Sequence, residues 1–158
     1  MKHKLVLYPA PVLRTVCEEV KLPLSKENKD LLDEMYNYIK DPENHALGLA
    51  APQFGVAKRM IVVRLIYTDY KLCLKLVNPR IVIQDKTHYF VLDGESCLSE
   101  PDLTVSVPRA KVILLMGYDA ITKKQIALKL DRFPAAVVQH EVDHLNGILL
   151  HDYIEGEK

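Results

Sequence analysis

Between positions 26 and 40, apolar residues fall at Leu31, Leu32, Met35, Tyr38 and Ile39, separated by charged and amide residues. This is the three-to-four-residue spacing of one helical face. Ser25 offers an N-cap before the stretch and Pro42 a stop after it, so the spacing predicts a helix over 26–40 whose apolar stripe is a packing face. Arg59 to Ile66 reads as a strand, and its unbroken Met60-Ile61-Val62-Val63 run suits burial on both faces. Leu72 to Val77 and Arg80 to Gln84 read as two strands around Asn78-Pro79. Val105, Val107 and Lys111 to Tyr118 are strand-like, and Gln125 to Leu130 alternates back across the polar turn Asp119 to Lys124 as a hairpin partner. Leu5 to Tyr8 is expected as a short strand broken by Pro9 and Pro11, with Val12, Leu13 and Val16 in the core. A second helix is expected to begin with Asp131 as its cap and Pro134 in its first turn, and to stop at Asn146-Gly147. Ile148 to Ile154 is left for a final strand or docking segment.

Composition narrows the picture. A chain of 158 residues that is 49% hydrophobic and 27% charged can bury one core and form one domain. Lys plus Arg and Asp plus Glu are both 21, so the excess of cations that marks a general nucleic-acid binder is missing. Three widely spaced cysteines, Cys17, Cys73 and Cys97, do not make a disulfide framework and favour a reducing compartment. No signal-peptide pattern or membrane span is visible, which points to a cytoplasmic protein.

The candidate chemistry lies inside the second helix, at His140-Glu141-Val142-Asp143-His144. Two imidazoles four residues apart share a helical face and reach one metal ion, and the glutamate beside the first can carry a proton. Catalytic sites of this kind need a third protein ligand. The metzincin pattern would require histidine where Leu150 stands, and downstream only Glu155 and Glu157 remain, in a polar tail. Cys97 is therefore the best candidate, within Asp93 to Pro101, a stretch that reads as a loop or bulged strand. His88 reads as a surface or satisfied histidine. Ala46 to Gly55 is small and apolar, with Gln53 its only polar side chain. Alone it reads as a buried turn in which backbone satisfies Gln53.

Three segments together resemble the peptide deformylases, metal-dependent hydrolases that remove the formyl group from nascent proteins. Ala46 to Gln53 is similar to the family's Gly-x-Gly-Leu-Ala-Ala-x-Gln loop, Glu95-Ser96-Cys97-Leu98-Ser99 to its Glu-Gly-Cys-Leu-Ser, and His140 to His144 to its metal-binding helix. Pro9 to Arg14 and Val107-Pro108-Arg109 extend the similarity over nearly the whole chain. The resemblance implies an α+β fold, with antiparallel β-sheets packed around a C-terminal-half helix carrying HExxH and an N-terminal helix, in one catalytic domain over 1–158. It implies Cys97, His140 and His144 as metal ligands, Glu141 as general base and then acid, and Gln53 with the Leu98 N–H as an oxyanion hole. Gly48 would offer backbone to an extended peptide, and Leu47, Phe133, Ala136 and Val137 would wall the methionine pocket. The expected metal is ferrous iron in the cell, with zinc, nickel or cobalt in purified protein. The expected partners are N-formyl-Met nascent peptides, with the ribosome left open because the tail Glu155 to Lys158 offers no basic arm. Glu95 is expected to pair with Arg109 behind the cysteine.

Two positions depart from the pattern: Ala46 and Ser96 each replace a glycine. Were either held at positive φ, the strain would be on the order of 1 kcal/mol or more. A weakly active paralogue that binds peptide N-termini, and a generic HExxH metallopeptidase, are the alternatives left open.

Overall fold

The computed structural model describes residues 2–156, with side chains through Ile154. The tail beyond that point, including Glu157 and the side chain of Glu155, lies outside the described residues. Helix α1 (Lys26–Lys40) matches the predicted bounds, and the Ser25 hydroxyl accepts from the Asn28 N–H at 3.1 Å. Strands β1 (Gly48–Ala50), β2 (Met60–Ile66), β3 (Lys71–Ile83), β6 (Val112–Asp119) and β7 (Lys124–Asp131) form one antiparallel sheet in the order β1-β2-β3-β6-β7. Strands β4 (Tyr89–Cys97) and β5 (Glu100–Ala110) form a separate antiparallel hairpin. Helix α2 (Phe133–Leu145) follows β7, and a final 3-10 segment spans Leu150–Gly156.

The uninterrupted apolar run of β2 has a direct cause. Ile61, Val63 and Leu65 pack with Ala135, Val138, Val142 and Leu145 of α2, while Met60 and Val62 pack with Leu31, Leu32, Met35 and Ile39 of α1. Successive strand residues face opposite ways, so a helix on each side removes the polar alternation. Burying each such aliphatic side chain contributes about 1.5–3 kcal/mol. The five-stranded sheet is thus the rigid layer on which α2 is seated.

Several expectations change. Leu72–Val77 and Arg80–Gln84 belong to a single strand, β3, whose register shifts between Val77 and Arg80. Asn78 sits there at φ 53°, a left-handed conformation its short polar side chain tolerates, and its amide exchanges hydrogen bonds with the backbone of Val20 at 2.8 and 2.9 Å. Leu5 to Tyr8 is not a strand: Val6 and Tyr8 donate singly to the carbonyls of Gln53 and Ser99, at 2.7 and 2.9 Å. Leu13 is fully buried but Val16 is 70% exposed, because the 3-10 turn Pro11–Arg14 breaks any helical continuation of the stripe. Asp131 does not cap α2. It ends β7 opposite Val112, and Arg132, at φ 60°, occupies the N-cap position without a side-chain cap. Asn146-Gly147 does end α2, with Gly147 at φ 73°. Among the described residues, no helix is long and apolar enough to cross a membrane.

Candidate metal centre and its cavity

Cys97 is the last residue of β4, at the turn into β5. A bulge delivers it there. The β4–β5 register shifts between Leu92 and Glu95, with Gly94 at φ 86°, where a Cβ would stand 2.8 Å from the Thr104 methyl. Asp93 to Pro101 is therefore a bulged hairpin. The bulge allows Glu95 and Cys97 both to be buried, facing α2.

From α2, His140 and His144 meet Cys97. One donor atom from each of the three lies within 4.8 Å of the other two, and Cys97 Sγ to His144 Nε2 is 3.4 Å. Ligand atoms bonded tetrahedrally at roughly 2.0–2.3 Å stand about 3.4–3.7 Å apart, so this separation suits one ion. The orientation of His140 agrees. Its Nδ1–H donates to Glu95 Oε1 at 3.1 Å, so Nε2 is the nitrogen left to a cation, which would take the place of the proton held there. Glu95 is in turn gripped by Arg109 through two hydrogen bonds of 2.9 and 2.7 Å, as expected from their spacing. His88 is remote and exposed, paired with Asp85.

Electrostatics mark the same spot. Burial holds His144 well below the usual imidazole range, and the charges of His140 and Arg109 add to the effect. Burial also opposes a charge on His140, yet hydrogen bonds to Cys97 and Glu95 outweigh it and push the ring up to about 10. Burial lifts the Glu141 carboxyl to about 7, against the pull of His140 and Arg109. In Glu95, the Arg109 and His140 hydrogen bonds overcome burial and keep the carboxylate ionised below its ordinary value. Among the described residues, Glu141 Oε1 and His144 Nδ1 are buried without a hydrogen-bond partner. An orphaned carboxylate oxygen beside a convergent Cys-His-His set fits a centre that handles water and a cation.

A cavity of about 400 Å³ opens over this centre. It is lined by Leu47, Gly48, Phe133, Ala136 and Val137, and also by Gln53, Cys97, Leu98, His140 and Glu141. His144 is buried behind them, 2% exposed. Gly48 lies so near Glu141 that a Cβ would stand 2.7 Å from Oε2, which makes glycine the residue that leaves room for the carboxylate. Gln53 is more than a backbone-satisfied turn residue. Its Oε1 accepts from the Ala50 N–H at 3.0 Å, while Nε2 donates to Ser99 Oγ at 3.1 Å and lies 3.8 Å from Cys97 Sγ. The Ser99 hydroxyl donates onward to the Val6 carbonyl at 2.7 Å.

Neither Ala46 nor Ser96 is in the left-handed region, so the expected glycine strain is not present; that region holds the neighbouring His45 and Gly94 instead. Ser96 is exposed on the rim, paired with Thr104. Sequence reasoning missed Ser99 as the orienter of Gln53, and Asp143 and Tyr153 behind Arg109. Ser99 carried a signal, a hydroxyl two residues from the candidate thiolate. Tyr153 carried none, because nothing local ties position 153 to position 143.

Comparison with known proteins agrees with this geometry. The family model described as polypeptide deformylase matches residues 2–158. The chain is 38% identical over 159 residues to peptide deformylase 2 of Bacillus anthracis, covering 93% of this chain and 86% of that protein. It is 40% identical over 158 residues to peptide deformylase 2 of Geobacillus stearothermophilus, covering 91% and 84%. Its fold is similar to the crystal structure of a probable peptide deformylase from Synechococcus phage S-SSM7, with TM-score 0.84, 36% identity, and coverage of 97% of this chain and 100% of that one. It is also similar to a Met-Ala-Ser-bound class I type b peptide deformylase from Acinetobacter baumannii, with TM-score 0.83, 28% identity, and coverage of 98% and 99%.

Proposed function

The chain belongs to the polypeptide deformylase family, and from that premise we propose which of its residues carry the reaction. It is a hydrolase that removes the N-formyl group from the N-terminal methionine of nascent polypeptides, releasing formate. Residues 1–158 act as one catalytic domain.

Cys97, His140 and His144 hold one divalent cation, and α2 serves as the HExxH helix. The observation that carries this reading is the convergence of their donor atoms within 4.8 Å, beside the buried, unpartnered Glu141 carboxylate. When bound, the cation supplies a Lewis acid that activates water at neutral pH and polarises a carbonyl. Glu141 takes the proton from the attacking water and later delivers it to the leaving amine; its buried carboxylate oxygen has no hydrogen-bond partner of its own among the described residues and is left for that proton. Gln53 Nε2 is held by Ser99 beside Cys97 Sγ at the cavity wall, where with the Leu98 N–H it stabilises the developing oxyanion. Leu47, Phe133, Ala136 and Val137 take the methionine side chain, and Gly48 presents backbone to the peptide.

A thiolate with two imidazoles suits zinc and equally ferrous iron, nickel or cobalt, and membership of the family favours ferrous iron in the cell. The three free cysteines support a reducing, cytoplasmic location. The expected partners are N-formyl-Met nascent peptides. The decisive experiment is formate release from formyl-Met-Ala-Ser by anaerobically prepared protein. Release without cleavage of the Met-Ala bond is expected. Internal cleavage would make the chain a general metallopeptidase, and binding without formate would make it a peptide-binding paralogue.

A further inference from the structure

We propose that Tyr153 is a positioning residue for His140, acting from the 3-10 segment Leu150–Gly156 through Asp143, Arg109 and Glu95. The proposal rests on the metal-centre reading above. The Tyr153 hydroxyl donates to Asp143 Oδ2 at 2.6 Å. Arg109 Nη1 donates to the same oxygen at 2.6 Å and reaches the Tyr153 oxygen at 3.3 Å. The remaining fork of Arg109, Nε and Nη2, holds both oxygens of Glu95, and Glu95 Oε1 accepts from His140 Nδ1. Four hydrogen-bonded links thus run from the 3-10 segment to a ring that shares one donor cluster with Cys97 and His144.

Each link restrains the next. Arg109 is 3% exposed, so its guanidinium cannot trade a protein partner for bulk water. Its plane is set by two carboxylates at once, Glu95 on one side and Asp143 on the other. Asp143 sits at the protein surface side of this fork, and the phenol is its second donor. Without it, Asp143 is free to turn to solvent, the fork loses one of its two fixed ends, and Glu95 no longer presents Oε1 at one angle to the imidazole. A ligand that wanders in angle binds its ion less tightly.

The segment is anchored without help from the hydroxyl. Asp152 pairs with Arg14, and Glu100 accepts from the Leu150 N–H and from His151 Nδ1. The Tyr153 ring lies 5.1 Å over the Arg109 guanidinium carbon, a contact phenylalanine would keep. Tyr153→Phe therefore deletes one donor and leaves packing and anchors in place.

The test is cobalt(II) binding by metal-free protein, read by competition with a chromophoric chelator and by the d–d spectrum, with His140→Ala alongside. For Tyr153→Phe, affinity is expected to fall about 10-fold, the low end of what loss of an outer-shell partner does. The d–d bands are expected to change, kcat to fall and KM to stay, with an unchanged melting temperature. Asp143→Asn/Tyr153→Phe should bind no more weakly than Asp143→Asn alone, because both act through one path. A Tyr153→Phe protein with cobalt affinity and spectrum equal to wild type overturns the proposal, as does a fully additive double variant. If Tyr153→Phe does not fold, Asp143→Asn decides: wild-type affinity there overturns the path, and weakened affinity with altered bands supports it. Wild-type affinity in His140→Ala would instead overturn the metal-centre reading itself.

Discussion

His140 and His144 stand one turn apart on the same helix, yet they are held in opposite ways. Behind His140, Nδ1 meets a buried carboxylate, an arginine, a second carboxylate and a phenol in succession. Behind His144, Nδ1 is buried with no hydrogen-bond partner among the described residues. One ring is aimed by polar wiring, the other by burial beside Cys97 and the apolar face of α2. Polar wiring gives direction but is expensive to interrupt at its middle, where Glu95 and Arg109 are buried and charged; apolar packing is less directional and more forgiving. The side of the centre nearer the β4–β5 hairpin is therefore the one where single changes should do most harm.

The largest effects remove what the two sides share. Cys97→Ala is expected to abolish stoichiometric metal, measured by elemental analysis after anaerobic purification, and formate release with it. Glu141→Ala should keep the metal but lower kcat by about 10²–10⁴-fold, the usual scale for a positioned proton carrier. A Glu141→Ala enzyme nearly as fast as wild type would remove that residue from the chemistry.

Glu95→Gln cuts only the wired side. It should weaken metal affinity about 10–100-fold. It also leaves Arg109 buried with Asp143 as its one remaining charge partner, and disrupting such a pair costs about 3–5 kcal/mol, visible in a chemical denaturation curve. Equal losses from Glu95→Gln and from apolar substitutions around His144 would erase the contrast between the two histidines.

The outer anchor of the wiring answers to pH. Hydrogen bonds from Arg14 keep the Asp152 carboxyl below its ordinary value. Its contribution is complete above the unfolded carboxylate's pKa of about 3.9 and is lost as pH falls through the lower folded value. Asp152→Asn should thus lower the melting temperature at pH 7, by the equivalent of about 1 kcal/mol or less for so exposed a pair, and the difference should close in strong acid. A difference that grows on acidification would contradict the assignment.

The smallest effect is expected at Ser96. With ordinary φ and an exposed side chain, Ser96→Gly should change stability by no more than about 0.5 kcal/mol and leave formate release near wild type. A large gain in rate would show that the serine hampers substrate at the rim.

Much of this was legible before any coordinates. The bounds of α1, the β6–β7 hairpin and the Asn146-Gly147 stop follow from periodicity, an N-cap and turn residues, all of which act within a few positions. The elements misread are those whose partners are distant. Leu5 to Tyr8 has the composition of a strand but lies across the Gln53 and Ser99 turns and finds no ladder. Asp131 has the chemistry of a cap, but pairing with Val112 holds it in β7. Asn78-Pro79 punctuates the sequence without breaking β3, since Val20 and Arg59 bind the bulge in place.

The sequence by itself determined the donor set and its likeness to a family: a thiol, two imidazoles one turn apart, a proton carrier and an amide, in recognisable order. Helical spacing alone puts His140 and His144 on one face. Tertiary structure alone decided that Cys97 meets them, through a glycine bulge in β4 that brings it to 3.4 Å from His144, 47 positions further along the chain, and that Glu95, Arg109, Asp143 and Tyr153 line up behind one ring and not the other. The physical reason is range. Backbone propensity and capping are settled by neighbours in the chain, whereas the direction of a buried polar side chain is settled by whichever partners the packed sheets and helices bring within hydrogen-bond distance.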